Sequence, residues 1–426
     1  MSEPEPRCTG PGRTSTREPT GSRNSLTPRS SAGALFDPLS PSFLRDPYQV
    51  YTKLRQEDPV HRHPESGLWV ISRYEDCLAV LRDDALFTAD PRRLRDAGPL
   101  APERAGTLAP EDRAPVRELL TDAFRAQDFG QLAADVRMFT RRLLTAPERR
   151  AETETDFVAA FAIPVASYAA GALFGGGLAR RDGFLGTCRD AVRGMTAGAT
   201  PEQTEAGLRA RALLGQMLRA EYRYAHGGSD RRGGVLRYLR LHEAERAVAF
   251  EALAGSLCAL LFAALNSGQR LLGNALNALV RTPGALRRLA APDGPPAATA
   301  LDELVRYDSP FQAQDRAVTA PTTLGGRRLA AGDRVRVLLG SAHRDPEVFP
   351  DPDRLDLSRT PNPHFAFGLG PHSCLGVPLA LLEARVLLTE LAAAHPDTTP
   401  TAEPTHEPHP TLRGFLSLPV ALGPPR

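Results

Sequence analysis

Apolar residues recur at helical spacing through most of the middle of the chain. The i, i+3, i+4, i+7 pattern predicts helices over 48–57, 74–82, 114–124, 131–144, 157–173, 204–224 and 246–281. Between the first two, residues 59–72 alternate around Glu65-Ser-Gly67 and predict a hairpin whose returning strand is Leu68-Trp-Val-Ile71. After Pro310 the period shortens, and strands are expected at 314–318, 327–329 and 334–339. A Pro- and Asp-rich stretch, 344–359, leaves little room for regular structure. An apolar run from Val377 to Val386 predicts one more helix, and residues 413–419 a terminal hairpin. Residues 91–110 and 225–234 read as loops, and no internal repeat is visible. The fold class expected is mainly α with small β-sheets (α+β), in a single large domain.

Composition trims this picture at one end. Residues 1–33 are rich in Ser, Thr, Pro, Gly and Arg and nearly devoid of large apolar side chains, so a disordered tail is expected, with the folded domain over 34–426. With 52 basic and 50 acidic residues the net charge is +2, which gives no reason to expect nucleic acid or an anionic membrane as partner. Lys53 is the only lysine among those basic residues, the mark of a GC-rich bacterial coding bias rather than of function. The five cysteines, Cys8, Cys77, Cys188, Cys258 and Cys374, are scattered and odd in number, which argues against a disulfide framework or zinc site. They fit a reducing, cytoplasmic setting. No N-terminal apolar segment is present, so neither signal peptide nor membrane anchor is expected.

The most informative chemistry lies at His364-Phe-Ala-Phe-Gly-Leu-Gly-Pro-His-Ser-Cys374-Leu-Gly376. Here one cysteine sits after a glycine-rich loop and just before a helix, whose N-terminal dipole favours an anionic sulfur. An isolated cysteine is ordinarily a small buried hydrophobe. The frame Phe367-x-x-Gly370-x-x-x-Cys374-x-Gly376, with Gly368 and His372 inside it, instead resembles the heme-binding loop of the cytochrome P450 family. The resemblance extends over about residues 34–426 and implies that fold. It implies heme b as cofactor, with the Cys374 thiolate as axial iron ligand.

Further residues follow from the same resemblance. Glu303 and Arg306, three apart on one helical face, are an ordinary surface pair by spacing alone. They resemble the family's buried Glu–Arg pair, with Arg354 expected to complete the network. His372, Arg316 and Arg117 are expected to hold the heme propionates, as bidentate Arg–carboxylate pairing favours. Arg113 is either a fourth partner or a solvated surface charge. On the long helix the family usually carries an acid followed by Thr, which organise water and pass protons during oxygen activation; this chain has Asn266 and Ser267. Ser267 keeps a hydrogen-bonding hydroxyl, whereas Asn266 cannot ionise. Three consequences stay open: proton delivery through water or substrate, a reaction that needs no full relay, or drift in a relay that still works. By position in the family, Ala263, Leu265, Gln312, Gln314 and Leu412 are expected to line the substrate pocket, under a lid from 91–110 and 191–224. Two glutamines there would favour a substrate with amide, hydroxyl or carboxyl groups, unless either points to solvent.

The resulting expectation is a soluble, monomeric bacterial monooxygenase that oxidises a small metabolite, free or carrier-bound, in secondary metabolism. Electrons would come from NAD(P)H through a separate ferredoxin and ferredoxin reductase, since the chain has no flavin or iron–sulfur motif. An oxidative-coupling or peroxide-using enzyme is the alternative marked by Asn266-Ser267, and a non-catalytic heme-binding partner protein the third.

Overall fold

The computed structural model describes residues 35–89, 110–146, 154–195, 199–224, 234–242 and 250–424. The expected tail and the loops at 91–110 and 225–234 lie, but for their end residues, outside the described residues.

Helices build most of the molecule. Tyr48–Glu57, Tyr74–Arg82 and Pro201–Tyr224 form where the apolar spacing places them. Asp128 caps Phe129–Leu144 by accepting from Gln131 N–H at 2.9 Å, so that helix starts two residues before the expected point. The expected 157–173 helix opens with one wide π turn, Val158–Ala162, and continues as Ile163–Phe174. Two helices that the periodicity left unmarked, Phe184–Gly194 and Gly234–His242, are short, and each buries one apolar stripe. The longest helix, Phe250–Arg281, runs through the largest apolar core and packs on Ile163–Phe174 and on Val377–Ala394.

A five-stranded sheet forms beside this helical body. Its order is Val60–Arg62, Trp69–Ile71, Arg334–Leu338, Ala313–Val318, Phe87–Thr88. All neighbours are antiparallel except Trp69–Ile71 with Arg334–Leu338, where Trp69 lies opposite Val335 and Ile71 opposite Val337. Ile71, Val335 and Val337 are fully buried and belong to a second core with Tyr74, Phe349 and Phe365. That core meets the chain just before the cysteine loop. No helix among the described residues is long and apolar enough to cross a membrane.

Candidate active site

The cysteine loop is held from two directions. Within it, Cys374 N–H donates to Phe367 O at 2.8 Å and Ser373 N–H to Gly370 O at 3.1 Å. Gly368 and Gly370 have φ of +74° and +59°, a region that a side chain rarely enters. From outside, Phe365 N–H donates to the ring Nε2 of His343 at 3.2 Å. Burial and its cationic neighbours push the His343 ring well below the usual histidine range, which keeps Nε2 free to accept.

His343 links the loop to the acidic anchor of the domain. Arg306 donates to Glu303 at 2.7 and 2.8 Å and to His343 O at 2.7 Å. Glu303 and Arg306 are both essentially inaccessible. The expected third member is corrected. Arg354 is exposed and pairs with Asp356, while Arg359 donates to both Glu303 oxygens at 3.2 and 3.1 Å. The reason lies in the Pro-rich stretch, which turns twice: Arg354 N–H closes on Asp351 O and Arg359 N–H on Asp356 O. These turns present the residue five positions further on to the carboxylate. Asp356 N–H adds a third donor, at 3.0 Å from Glu303 Oε1.

Cys374 opens into the wall of a cavity shared with the long helix. That helix contributes Leu260, Ala263, Ala264, Ser267 and Leu271, and the loop contributes Phe367, His372 and Cys374. Arg117, Gln314, Phe174 and Phe311 also line it. The surface is overwhelmingly apolar. Gly376 N–H donates to Cys374 Sγ at 3.2 Å, the first turn of Val377–Ala394 follows at once, and Arg117 donates to Ser373 O at 2.6 Å. Burial pushes the Cys374 thiol up, while the N–H groups of Gly376 and Val377 and the Arg117 charge pull it down. Burial outweighs them and leaves the thiol above its usual range, so the N–H groups and Arg117 reduce, without removing, the cost of the thiolate that a bound cation would select.

Several expected residues lie elsewhere. Leu265 is 1% exposed and packs in the core, and Ala264 takes the cavity place beside Ala263. Gln312 is buried, accepts from Tyr51 Oη at 3.2 Å and donates to Ser309 O at 2.9 Å, outside the cavity lining. Leu412 lies with Gln312 at a small hollow and bridges Phe311 by backbone pairing. Asn266 faces away from the cavity: Arg270 donates to its side-chain oxygen and, through its other arm, to Glu407 at 2.5 Å. Helical geometry explains the set, since 260, 263, 264, 267 and 271 share one face and 265 and 266 do not. Arg316 is buried in its strand and donates to Gln314 Oε1 at 3.1 Å, beside the cavity rather than in its lining. Arg113 falls in the Pro110–Arg125 helix, and its side chain is outside the described residues. Phe174, Phe311 and Glu383 line the cavity without having been singled out by sequence. For Glu383 a signal existed, an acid in the middle of an apolar helical run.

Comparison with known proteins agrees with this geometry. The family model described as Cytochrome P450 matches residues 297–404, which include the Glu303 network and the cysteine loop. The chain is 30% identical to the cytochrome P450 monooxygenase PikC of Streptomyces venezuelae over 398 residues, covering 90% of this chain and 92% of the relative. The chain belongs to the cytochrome P450 family. It is also 28% identical to the polyketide biosynthesis cytochrome P450 PksS of Bacillus subtilis, covering 91% of this chain and 98% of that one. The crystal structure of CalO2 superposes with a TM-score of 0.76 at 29% identity, over 91% of this chain and 99% of that one. This P450 is therefore an oxidoreductase of the monooxygenase class, and the family implies heme iron.

The residues present fit that group. A P450 heme needs one thiolate, an apolar slot and cations for two carboxylates. The cavity supplies Cys374, the Phe367, Leu260, Ala263 and Ala264 surfaces, and Arg117 with His372 at its polar edge. His372 now pairs with Asp84 at 2.8 Å, a carboxylate in the role expected of a propionate. When bound, heme supplies the redox centre at which dioxygen is reduced.

Proposed function

We propose that this P450 hydroxylates or similarly oxidises an amphipathic, mostly apolar metabolite of polyketide type in bacterial secondary metabolism. The observation that supports this most directly is the cavity wall: Cys374 and Ser267 share it with a nearly continuous apolar surface. Gln314 is the one glutamine there, and the few polar side chains of the lining are set in a largely hydrocarbon surface. The two relatives quoted above include one named for polyketide biosynthesis, which favours the same substrate class.

The chain's own residues have separable tasks. Cys374 would hold the iron, with Gly376 N–H and the following helix end lowering the cost of the anionic sulfur that the metal requires. Arg117, His372 and Arg316 would neutralise the propionates. The Glu303–Arg306–Arg359 network keeps the loop in register through His343. Ser267 donates to Ala263 O at 2.8 Å and leaves its oxygen lone pairs to the cavity. Electrons would come from NAD(P)H through a ferredoxin and its reductase.

The test is a ferric absorption titration of the heme-loaded protein with polyketide lactones, followed by turnover with NAD(P)H, ferredoxin and reductase. A low-to-high-spin change and a product carrying one oxygen atom from dioxygen are expected. No spin change with any such lactone would overturn the substrate class. Product formation from peroxide alone, at a rate above that with reductase, would favour the second reading that the non-ionisable Asn266 suggests.

A further inference from the structure

Arg270 and Glu407 form an ion pair inside the molecule, between the cavity helix and a loop 137 residues later. They are 1% and 3% exposed, and Arg270 Nη2 donates to Glu407 at 2.5 Å. Among the described residues the Arg270 Nε–H finds no acceptor. Two charges buried in this way are a poor source of stability, since a well-packed apolar pair of similar volume often serves as well or better. Their distinctive property is geometric. Charged hydrogen bonds hold the two segments that carry them in one register, which apolar contacts, being non-directional, do not.

Both segments lead to the cavity wall. On the helix, Arg270 Nη1 donates to Asn266 O at 2.5 Å and also to the Asn266 side-chain oxygen, which fixes the turn that carries Ser267. On the other side, Glu407 N–H closes the loop 407–414 by donating to Gly414 O at 3.1 Å. Gly414 lets the loop lie on the helix, because a Cβ there would overlap Arg270 Cγ. The far edge of the loop is stitched to the chain that follows the Ala297–Tyr307 helix. Gln312 N–H donates to Thr411 O at 2.9 Å, Arg413 N–H donates to Pro310 O at 2.8 Å, and Leu412 pairs with Phe311. That chain gives Pro310, Phe311 and Gln314 to the cavity, with Phe311 39% exposed. The loop itself stays out of the lining, so it acts on a substrate only through Phe311 and its neighbours.

We propose that the Arg270–Glu407 pair is a specificity-determining spacer. It holds the loop, and through the loop Phe311, at one offset from Ser267, and thereby selects which carbon of the substrate faces the oxidation site. Neither residue lines the cavity, so both are positioning residues. The part of the substrate they govern is the apolar body lying along Phe311, not the polar end at Gln314. This rests on the reading of the cavity as the site of a monooxygenase acting on a polyketide-type metabolite.

The test uses the heme-loaded protein and two variants. Arg270→Met combined with Glu407→Leu removes both charges together, and Glu407→Asp keeps the charge but shortens its reach. Imidazole, N-phenylimidazole and N-benzylimidazole are titrated against the ferric absorption band, which probes the cavity without the natural substrate. In the paired variant the denaturation midpoint should stay at or above the wild-type value, because no lone charge is left buried. Its imidazole affinity should stay within about twofold of wild type, while the ratio of the two aryl affinities should move about tenfold. Glu407→Asp should move that ratio part of the way. With a polyketide lactone, NAD(P)H, ferredoxin and reductase, minor regioisomers should rise about tenfold relative to the main product in the paired variant. An unchanged aryl ratio and product distribution in a folded paired variant would overturn the proposal. If the paired variant does not take up heme, Glu407→Asp decides on the same ratio. Absence of a spin change with every lactone would sink the substrate class alone, and the aryl ratio would still decide the spacer.

Discussion

At the scale of single residues, Glu303 shows how much depends on which arginine arrives. Its carboxylate serves two buried guanidiniums, Arg306 and Arg359, and the Asp356 N–H. Removing one partner of such a buried set costs about 3–5 kcal/mol, because a charge is left without compensation. Arg359→Ala is therefore expected to lower the denaturation midpoint strongly and to loosen heme retention, whereas Arg354→Ala should change stability by less than about 0.5 kcal/mol. Denaturant titration followed by heme absorbance distinguishes them. The Glu303–Arg306 spacing was legible in the sequence, but the third partner was not, since it depends on two tight turns that carry no periodic signal. Asn266 leads to a second expectation. An aspartate there would join Glu407 in competing for Arg270 rather than enter the cavity. Asn266→Asp should leave product formed per NAD(P)H at or below the wild-type value, measured by product and cofactor assays together. A clear gain would mean that residue 266 reaches the oxygen site after all.

At the scale of elements, the Phe250–Arg281 helix explains both what sequence reading could reach and where it stopped. Its existence follows from apolar periodicity, and its cavity face follows once one position is fixed, because 263 and 267 imply 260, 264 and 271. Assignment by resemblance placed 265 and 266 on that face as well, and helical geometry does not allow all of them to share it. The polar partners that decide Asn266 and Gln312 come from distant chain segments, Glu407 and Tyr51, which no local pattern announces. The segment after Thr405–His406 carries a pH sensitivity of its own. His409 Nδ1 accepts the N–H groups of Thr411 at 3.2 Å and Leu412 at 3.1 Å. Burial first, then the Arg270 and Arg336 charges, push its pKa down to about 4, with Glu407 opposing. The ring is neutral in the fold and binds a proton more readily once unfolded. Stability is therefore full above the ordinary histidine value of 6.5 and is lost as the pH falls toward about 4. The loss should be on the order of 2 kcal/mol over that window. Thermal melts at stepped pH should show it, and His409→Asn, which keeps an acceptor but does not titrate, should flatten the dependence.

At the scale of the whole molecule, the fold class was readable because length, mainly helical spacing and a late switch to strands agree. Pairing of the sheet was not. Trp69–Ile71 and Arg334–Leu338 lie some 260 residues apart and run parallel, so only the tertiary core of Ile71, Val335 and Val337 fixes their register. The site joins both regions. The helical core supplies the cavity and the acid at Glu383, and the sheet-side core holds Phe365 and Phe349 next to the loop that presents Cys374.

The Arg270–Glu407 pair has a consequence for the order in which the protein is completed during synthesis. The guanidinium is carried by a helix that ends at Arg281, and its carboxylate partner is translated more than a hundred residues later. Until residue 407 leaves the ribosome, the middle of that helix holds a cation that cannot be buried cheaply. The helix can form early, but it cannot settle against its neighbours with residue 270 inside. Full burial of Arg270 is thus expected only once the segment around Glu407 has been made, so the last part of the chain to be translated completes the packing of the Phe250–Arg281 helix.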